Sequence, residues 1–261
     1  MKVTILGCGS AYSVPNVGGL WGDCDPNNPK NRRTASSVLI QEGEARILID
    51  LGPDYREQSE KHNITFVDAI IYTHGHSDHI LGNFHLPRMM RYYDGRELPM
   101  YATKETREQI ERMFWFQYNN EGKTQYSGKT RPHWVDIKAN SEFSIGGIKF
   151  LPLLQQHGSM DTLGFRIGDF AYSTDFNEMP ESTFRQLQGL DTWLVECNAV
   201  GQVTEPEEKH LYLEKVLRLI DRVKPKKAYL THLNATMDYD TISAKLPPNV
   251  YLAYDGLELQ I

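Results

Sequence analysis

The segment IYTHGHSDH places His74, His76, Asp78 and His79 within a few residues of one another, directly after an apolar run. Neutral imidazoles and carboxylates are the ligands that borderline divalent ions such as Zn²⁺ or Mn²⁺ accept. A lone histidine is most often a packed or surface residue, but packing gives no reason to concentrate three imidazoles and a carboxylate on one loop. Gly75 lets the backbone between the first two histidines turn tightly.

An ion held by such ligands keeps positions open for water. Cys8, Cys24 and Cys197 are widely spaced, with no CxxC pair. That spacing argues against a disulfide framework and points to a reducing cytoplasm.

These residues need strands to carry them. Residues 3–6, 37–40, 46–50 and 69–73 are strand-length apolar runs, and a second β-rich half covers 142–154, 163–167 and 170–173. Gly146-Gly147 and Gly168-Asp169 supply its hairpin turns. Ile110, Met113, Phe114 and Phe116 give residues 104–118 a mostly helical stripe, and the polar residues 119–132 read as a mobile surface loop. Thr204 and Glu207 have capping-box spacing ahead of Leu213, Val216, Leu217 and Ile220, a helical pattern that runs to Pro225. Two sets of strands with helices between them predict an α/β fold, a four-layer αββα sandwich, as one domain over residues 1–261.

Composition narrows the functions. At 40% hydrophobic and 24% charged, with no apolar run approaching the roughly 18 residues that span a bilayer, the chain is expected to be soluble, with no membrane partner. The opening residues alternate and break at Gly7 and Gly9, unlike a secretory leader, and that GxG lacks the third glycine of a dinucleotide site. A net charge of −6 disfavours nucleic acid as a ligand. His62, His85 and His133 receive no role. Residues 113–116 place large apolar side chains around several helix faces; core packing is the expectation, and a pocket lid or homodimer contact stays open.

HxHxDH, with a later histidine, aspartate and histidine at strand ends, resembles the metallo-β-lactamase superfamily. The resemblance implies two divalent ions, Zn or Mn; two ions a few Å apart can share a hydroxide whose pKa falls to about 7, so the expected nucleophile is water and not a side chain. It assigns His74, His76 and His157 to one ion and Asp78, His79 and His232 to the other, with Asp175 bridging, Asp78 also catalytic, and Asp50 orienting a ligand from behind. ILGCGSAYSVP, RRTASSVLI, ILIDLGPD, THGHSDHILG, His210 in EEKHLYLEKVL, and YDGLEL resemble the branch that contains the phosphoribosyl cyclic phosphate phosphodiesterases. That likeness implies that His210 contacts the phosphate and protonates the leaving oxygen; the alternative is an exposed histidine in the first turns of a helix. Arg32, Arg33, Ser36 and Ser37 are read either as a phosphate-binding rim or as a solvated turn. The chain departs from that branch in having Cys24 alone where a cysteine cluster binds a structural zinc, and Ala235 where a histidine completes it. No structural zinc is expected, and other contacts must order residues 18–33.

The resulting expectation is a dinuclear phosphodiesterase that attacks a small or cyclic phosphodiester through a metal-bridging hydroxide. The competing readings are a tRNA 3′-processing endoribonuclease, a carboxyl ester, thioester or lactam hydrolase, and a non-catalytic binding protein of the same fold.

Overall fold

The computed structural model describes residues 1–93, 96–117, 132–201 and 209–261. One sheet contains β1 (Lys2–Gly7), β2 (Ser37–Glu42), β3 (Ala45–Ile49), β4 (Ala69–Ile71), β5 (Leu98–Ala102) and β6 (Pro132–Asp136), with the last strand, β14 (Glu258–Gln260), at its far edge beside β1. The other contains β7 (Phe143–Ile145), β8 (Ile148–His157), β9 (Met160–Ile167), β10 (Phe170–Ser173), β11 (Thr192–Glu196), β12 (Lys227–Thr231) and β13 (Val250–Leu252), in chain order across the sheet.

Each sheet is half antiparallel and half parallel. β14, β1, β2 and β3 pair antiparallel, then β3 to β6 pair parallel. In the second sheet β7 to β10 are antiparallel and β10 to β13 parallel. Antiparallel neighbours need only short turns, and Gly146, Gly147 and Gly168 supply them with φ of 57°, 85° and 58°. Parallel neighbours need crossovers. These contain α1 (Tyr55–Lys61), α2 (Ser77–Ile80), α3 (Leu86–Met89), α4 (Lys104–Met113), α5 (Glu181–Gln186), α6 (Leu213–Val223) and α7 (Tyr239–Ser243).

Strand alternation explains the layering. Val3, Ile5, Val38, Ile40, Ile47, Ile49 and Ile71 face the second sheet and pack in one core with Phe150, Phe165, Tyr172, Trp193 and Leu230. Their chain neighbours Leu6, Leu39, Leu48 and Ile70 point the other way, into a core closed by Tyr55, Leu86, Met89 and Ile110 of the helices. Strands buried on both faces read as continuous apolar runs, as these do. The fold is the expected αββα sandwich.

Three local expectations are revised. The helix predicted over 104–118 stops at Met113, and Trp115–Gln117 form a 3₁₀ turn. Ile110 and Phe114 pack in the core, whereas Met113, Trp115 and Phe116 are 44%, 71% and 37% exposed, so core packing does not account for all of that stripe. Helix α6 starts at Leu213 behind Tyr212, whose side chain makes no capping hydrogen bond. Thr204, Glu207, Tyr118 and residues 119–131 of the predicted loop lie outside the described residues, and Pro132 opens β6. No helix among the described residues is long and apolar enough to cross a membrane.

Candidate metal centre

The predicted ligands sit at or just beyond strand ends, except Asp78 and His79, which lie in α2 after β4. His74 and His76 follow β4, His157 closes β8, Asp175 follows β10 by two residues, and His232 and Asp50 come directly after β12 and β3. The sheets therefore deliver all of them to one edge of the sandwich. Glycine makes the packing of these loops feasible: a Cβ on Gly52 would lie 2.3 Å from the Asp78 carbonyl oxygen. Leu51 donates its N–H to the His79 carbonyl (2.9 Å) and accepts one from Gly82 (2.8 Å), which ties the Asp50 loop to the Asp78-His79 turn.

Among the described residues three groups of side chains could hold an ion: two share Asp175 and contain every predicted ligand, and the third is Glu196, His210 and His232. His74, His76, His157 and Asp175 are one set, and Asp78, His79, Asp175 and His232 are the other, with the ligand atoms of each set within 4.8 Å of one another. Asp175 divides its carboxylate between them. Its Oδ2 faces His74 Nε2 at 3.6 Å and His157 Nε2 at 4.0 Å. Its Oδ1 faces His232 Nε2 at 3.1 Å and His79 Nε2 at 3.3 Å. Asp78 Oδ2 lies 3.0 Å from His79 Nε2 and 3.5 Å from His232 Nε2.

The residues fit divalent ions by a test independent of spacing. His74 Nε2, His79 Nε2, His232 Nε2 and Asp78 Oδ2 are buried without a hydrogen-bond partner. Leaving such an atom unsatisfied costs about 1–3 kcal/mol, and ions in the two sets would satisfy all four atoms. The other ring nitrogens are held from outside. Nδ1 of His74 meets Thr73 Oγ1 (3.0 Å), Nδ1 of His79 meets Asp50 Oδ2 (2.7 Å), and Nδ1 of His157 meets the Lys209 carbonyl (2.7 Å). That arrangement orients an imidazole for metal binding. Asp50 is in turn fixed by Thr73, which donates its N–H and Oγ1–H to the two carboxylate oxygens at 2.8 and 2.9 Å.

Electrostatics agree with the geometry. Burial pushes the His74 ring well below its ordinary pKa, as a neutral ligand requires. Burial also disfavours charge on His79, but Asp78, Asp175 and Asp50 outweigh it and hold that ring well above the usual value. An ion at Nε2 would displace that proton, so binding at this set would release protons.

Glu196, at the end of β11, was not singled out by the sequence. It is fully buried, accepts the Phe176 N–H (2.5 Å), meets His210 Nδ1 at 2.5 Å and lies 3.5 Å from His232 Nδ1. The one available signal was a lone acid closing an otherwise apolar strand, TWLVE. His210 stacks on His232 with ring centroids 5.1 Å apart and lies 4.7 Å from His157. Its side chain is 31% exposed, and it precedes α6 instead of lying in its first turns. Burial lowers its pKa, but Glu196 raises it further, so the net shift is upward.

The proposed phosphate rim does not assemble. Arg33 is 1% exposed, with its guanidinium on the carbonyls of Asn234 and Met237. Ser36 Oγ donates to the Gly9 carbonyl, and Ser37 Oγ to those of Ile49 and Asp50. All three are framework residues, because the loop backbones they hold have unfilled carbonyls and they are buried among them. Arg32 is exposed, with its guanidinium 5.3 Å from the Trp21 ring centroid. Residues 18–33 are ordered in part by Asn31 Nδ2 and the Asp25 N–H, both on Asp238 Oδ2, and by the Cys24 thiol on the Ala235 carbonyl.

Comparison with known proteins places this centre in a family. The pattern of the β-lactamase superfamily domain matches residues 45–233. An octanoyltransferase of Porphyromonas gingivalis is 28% identical over 261 residues, 99% of this chain and 51% of that protein, so the chain spans about half the length of that relative. A crystal structure of a diphosphatase from the PhnP family superposes with a TM-score of 0.86 at 30% identity, covering 100% of this chain and 97% of that one. Zn²⁺-bound PqqB from Methylobacterium extorquens shares the fold, with a TM-score of 0.75 at 19% identity over the full length of both chains. That zinc-bound protein shares the fold, and the chain belongs to the metallo-β-lactamase superfamily, within its PhnP family.

Proposed function

We propose that this protein is a dinuclear metal-dependent phosphodiesterase that cleaves a small or cyclic phosphodiester. One observation carries the reading: two ligand sets meet at opposite oxygens of Asp175, with the His210–Glu196 pair beside them. His74, His76 and His157 would hold one ion, Asp78, His79 and His232 the other, Zn or Mn, with Asp175 serving both. Bound ions would supply Lewis acidity toward a phosphoryl oxygen and activate water at neutral pH.

The remaining work falls to the chain's own residues. Glu196 favours the protonated form of His210 and occupies its Nδ1, which leaves Nε2 to deliver a proton. The departing alkoxide of a phosphodiester needs that proton, because an alkoxide is a poor leaving group at neutral pH. Asp50, through His79, and Glu196, near His232, hold two ligand rings in register. The net charge of −6 favours a small substrate over RNA. Three buried free cysteines suit a reducing, cytoplasmic setting.

The test is hydrolysis of bis(p-nitrophenyl) phosphate by chelator-stripped protein reloaded separately with Zn²⁺ and Mn²⁺, alongside pyrophosphate and p-nitrophenyl acetate. Metal-restored cleavage of the phosphodiester is the expected result. Cleavage of pyrophosphate alone would move the reaction to phosphoanhydrides, and cleavage of the acetate alone to acyl transfer to water.

A further inference from the structure

His232 enters the centre with a left-handed backbone, φ 59°. A residue with a side chain holds that conformation only where its surroundings over-determine it. The following residues supply the constraints. Leu233 donates its N–H to Cys8 (2.8 Å) and accepts that of Ser10 (3.1 Å), and Asn234 donates its N–H to Asn198 (2.9 Å). The turn beyond them is then gripped by Arg33.

Arg33 Nη1 donates to the Asn234 carbonyl at 3.2 Å and Nη2 to the Met237 carbonyl at 2.5 Å. Nη2 also reaches Asn31 Oδ1 at 3.1 Å, and the Asn31 amide donates to Asp238 Oδ2 at 2.7 Å. A guanidinium this deeply buried, meeting a carboxylate only through an intervening amide, is costly to desolvate. What offsets the cost is geometric: one rigid planar fork puts separate nitrogens on two carbonyls of the same turn, a spacing that the single nitrogen of a lysine does not reproduce.

We propose that Arg33 is a positioning residue of the metal centre, holding the loop after β12 so that His232 stays in register with Asp78, His79 and Asp175. This rests on the metal-binding reading above. The other histidine set hangs on β4 and β8, and its histidines make no hydrogen bond to Arg33 or to the turn Arg33 grips. Loss of the fork therefore acts on one ion and spares the other.

The experiment is a calorimetric Zn²⁺ titration of metal-free wild type, Arg33→Lys and Asn31→Ala, with bound zinc counted by elemental analysis and metal-free stability followed in urea. Wild type is expected to take up two ions. In Arg33→Lys one of the two binding steps should weaken by about 10- to 100-fold, the range for residues that orient a ligand from behind, while the other step stays at the wild-type value. Asn31→Ala, which removes a partner of the fork, should show a smaller split of the same kind and serves if the lysine variant does not fold. A purely structural role would lower metal-free stability and leave both steps unchanged, and that result overturns the inference. So does an equal loss at both steps. If wild type binds no zinc, the metal-binding reading falls and this inference with it; two ions in wild type and no split in either variant sinks this inference alone.

Discussion

Asp175 offers one oxygen to each ligand set, so it is the residue whose loss the centre tolerates least. Asp175→Ala should reduce bound metal to a small fraction of wild type in both sets and abolish turnover, measured by elemental analysis and phosphodiester hydrolysis on the same sample. His210 predicts a different outcome, because it stacks on His232 and lies outside both sets that share Asp175. His210→Gln should keep its metal and lose about 10²- to 10⁴-fold in kcat, the usual worth of a general acid. The loss should be larger for an alkyl than for a p-nitrophenyl leaving group, since p-nitrophenolate departs without a proton. The Glu196 carboxylate raises the His210 pKa, and the acid form acts, so activity should be present below that pKa and fall as pH rises through it. In Glu196→Gln the alkaline limb of the rate profile should move to lower pH; an unmoved limb would remove His210 as its source.

The elements matter because ligand loops from different strands touch. Where the loop after β3 meets α2, Gly52 lies against the Asp78 carbonyl with no room for a Cβ. Gly52→Ala should cost about 1–3 kcal/mol of stability, the usual penalty of overpacking, and weaken metal binding with it. Asp238 caps α7 by accepting the Thr241 N–H and also holds Asn31 and Asp25. Burial opposes its charge, but those hydrogen bonds outweigh burial and keep the carboxyl below its ordinary range. A depressed carboxylate stabilises the fold above its unfolded pKa, near 4, and loses that contribution as pH falls toward the folded value. Asp238→Ala should therefore destabilise by about 1–2 kcal/mol at neutral pH, and the gap to wild type in urea midpoints should narrow in acid.

At the scale of the whole molecule, the centre links strand ends drawn from both sheets, so ions bound there tie the two halves of the sandwich together. A ligand that binds only the folded state stabilises it by about 2.7 kcal/mol at a hundredfold excess over Kd. For a chain of this size that corresponds to a rise in Tm of about 5–10 °C, readable by calorimetry before and after chelation. An unchanged Tm on adding Zn²⁺ and Mn²⁺ would count against metal binding by the folded chain.

The local part of this protein was open to inspection in its sequence. His74, His76, Asp78 and His79 stand close together in the chain, on the turn from β4 into α2, so their convergence needs only a strand before them and a glycine between the first two. Runs buried on both faces announced most of the strands, and with them the sandwich. Asp175, His157 and His232 stand at the ends of apolar runs, but only resemblance picked them out and tied them to the same centre. Tertiary structure decided the rest. Glu196 meets His210 and His232 because parallel pairing sets β11 beside β12, a register that no local pattern encodes. Arg33, Ser36 and Ser37 suited a phosphate, yet their donors go to carbonyls of distant loops, and a polar residue's sequence does not say whether water or backbone will satisfy it. Short-range spacing determines which side chains can act together on one loop, whereas long-range hydrogen bonding and burial determine which polar groups remain free to act.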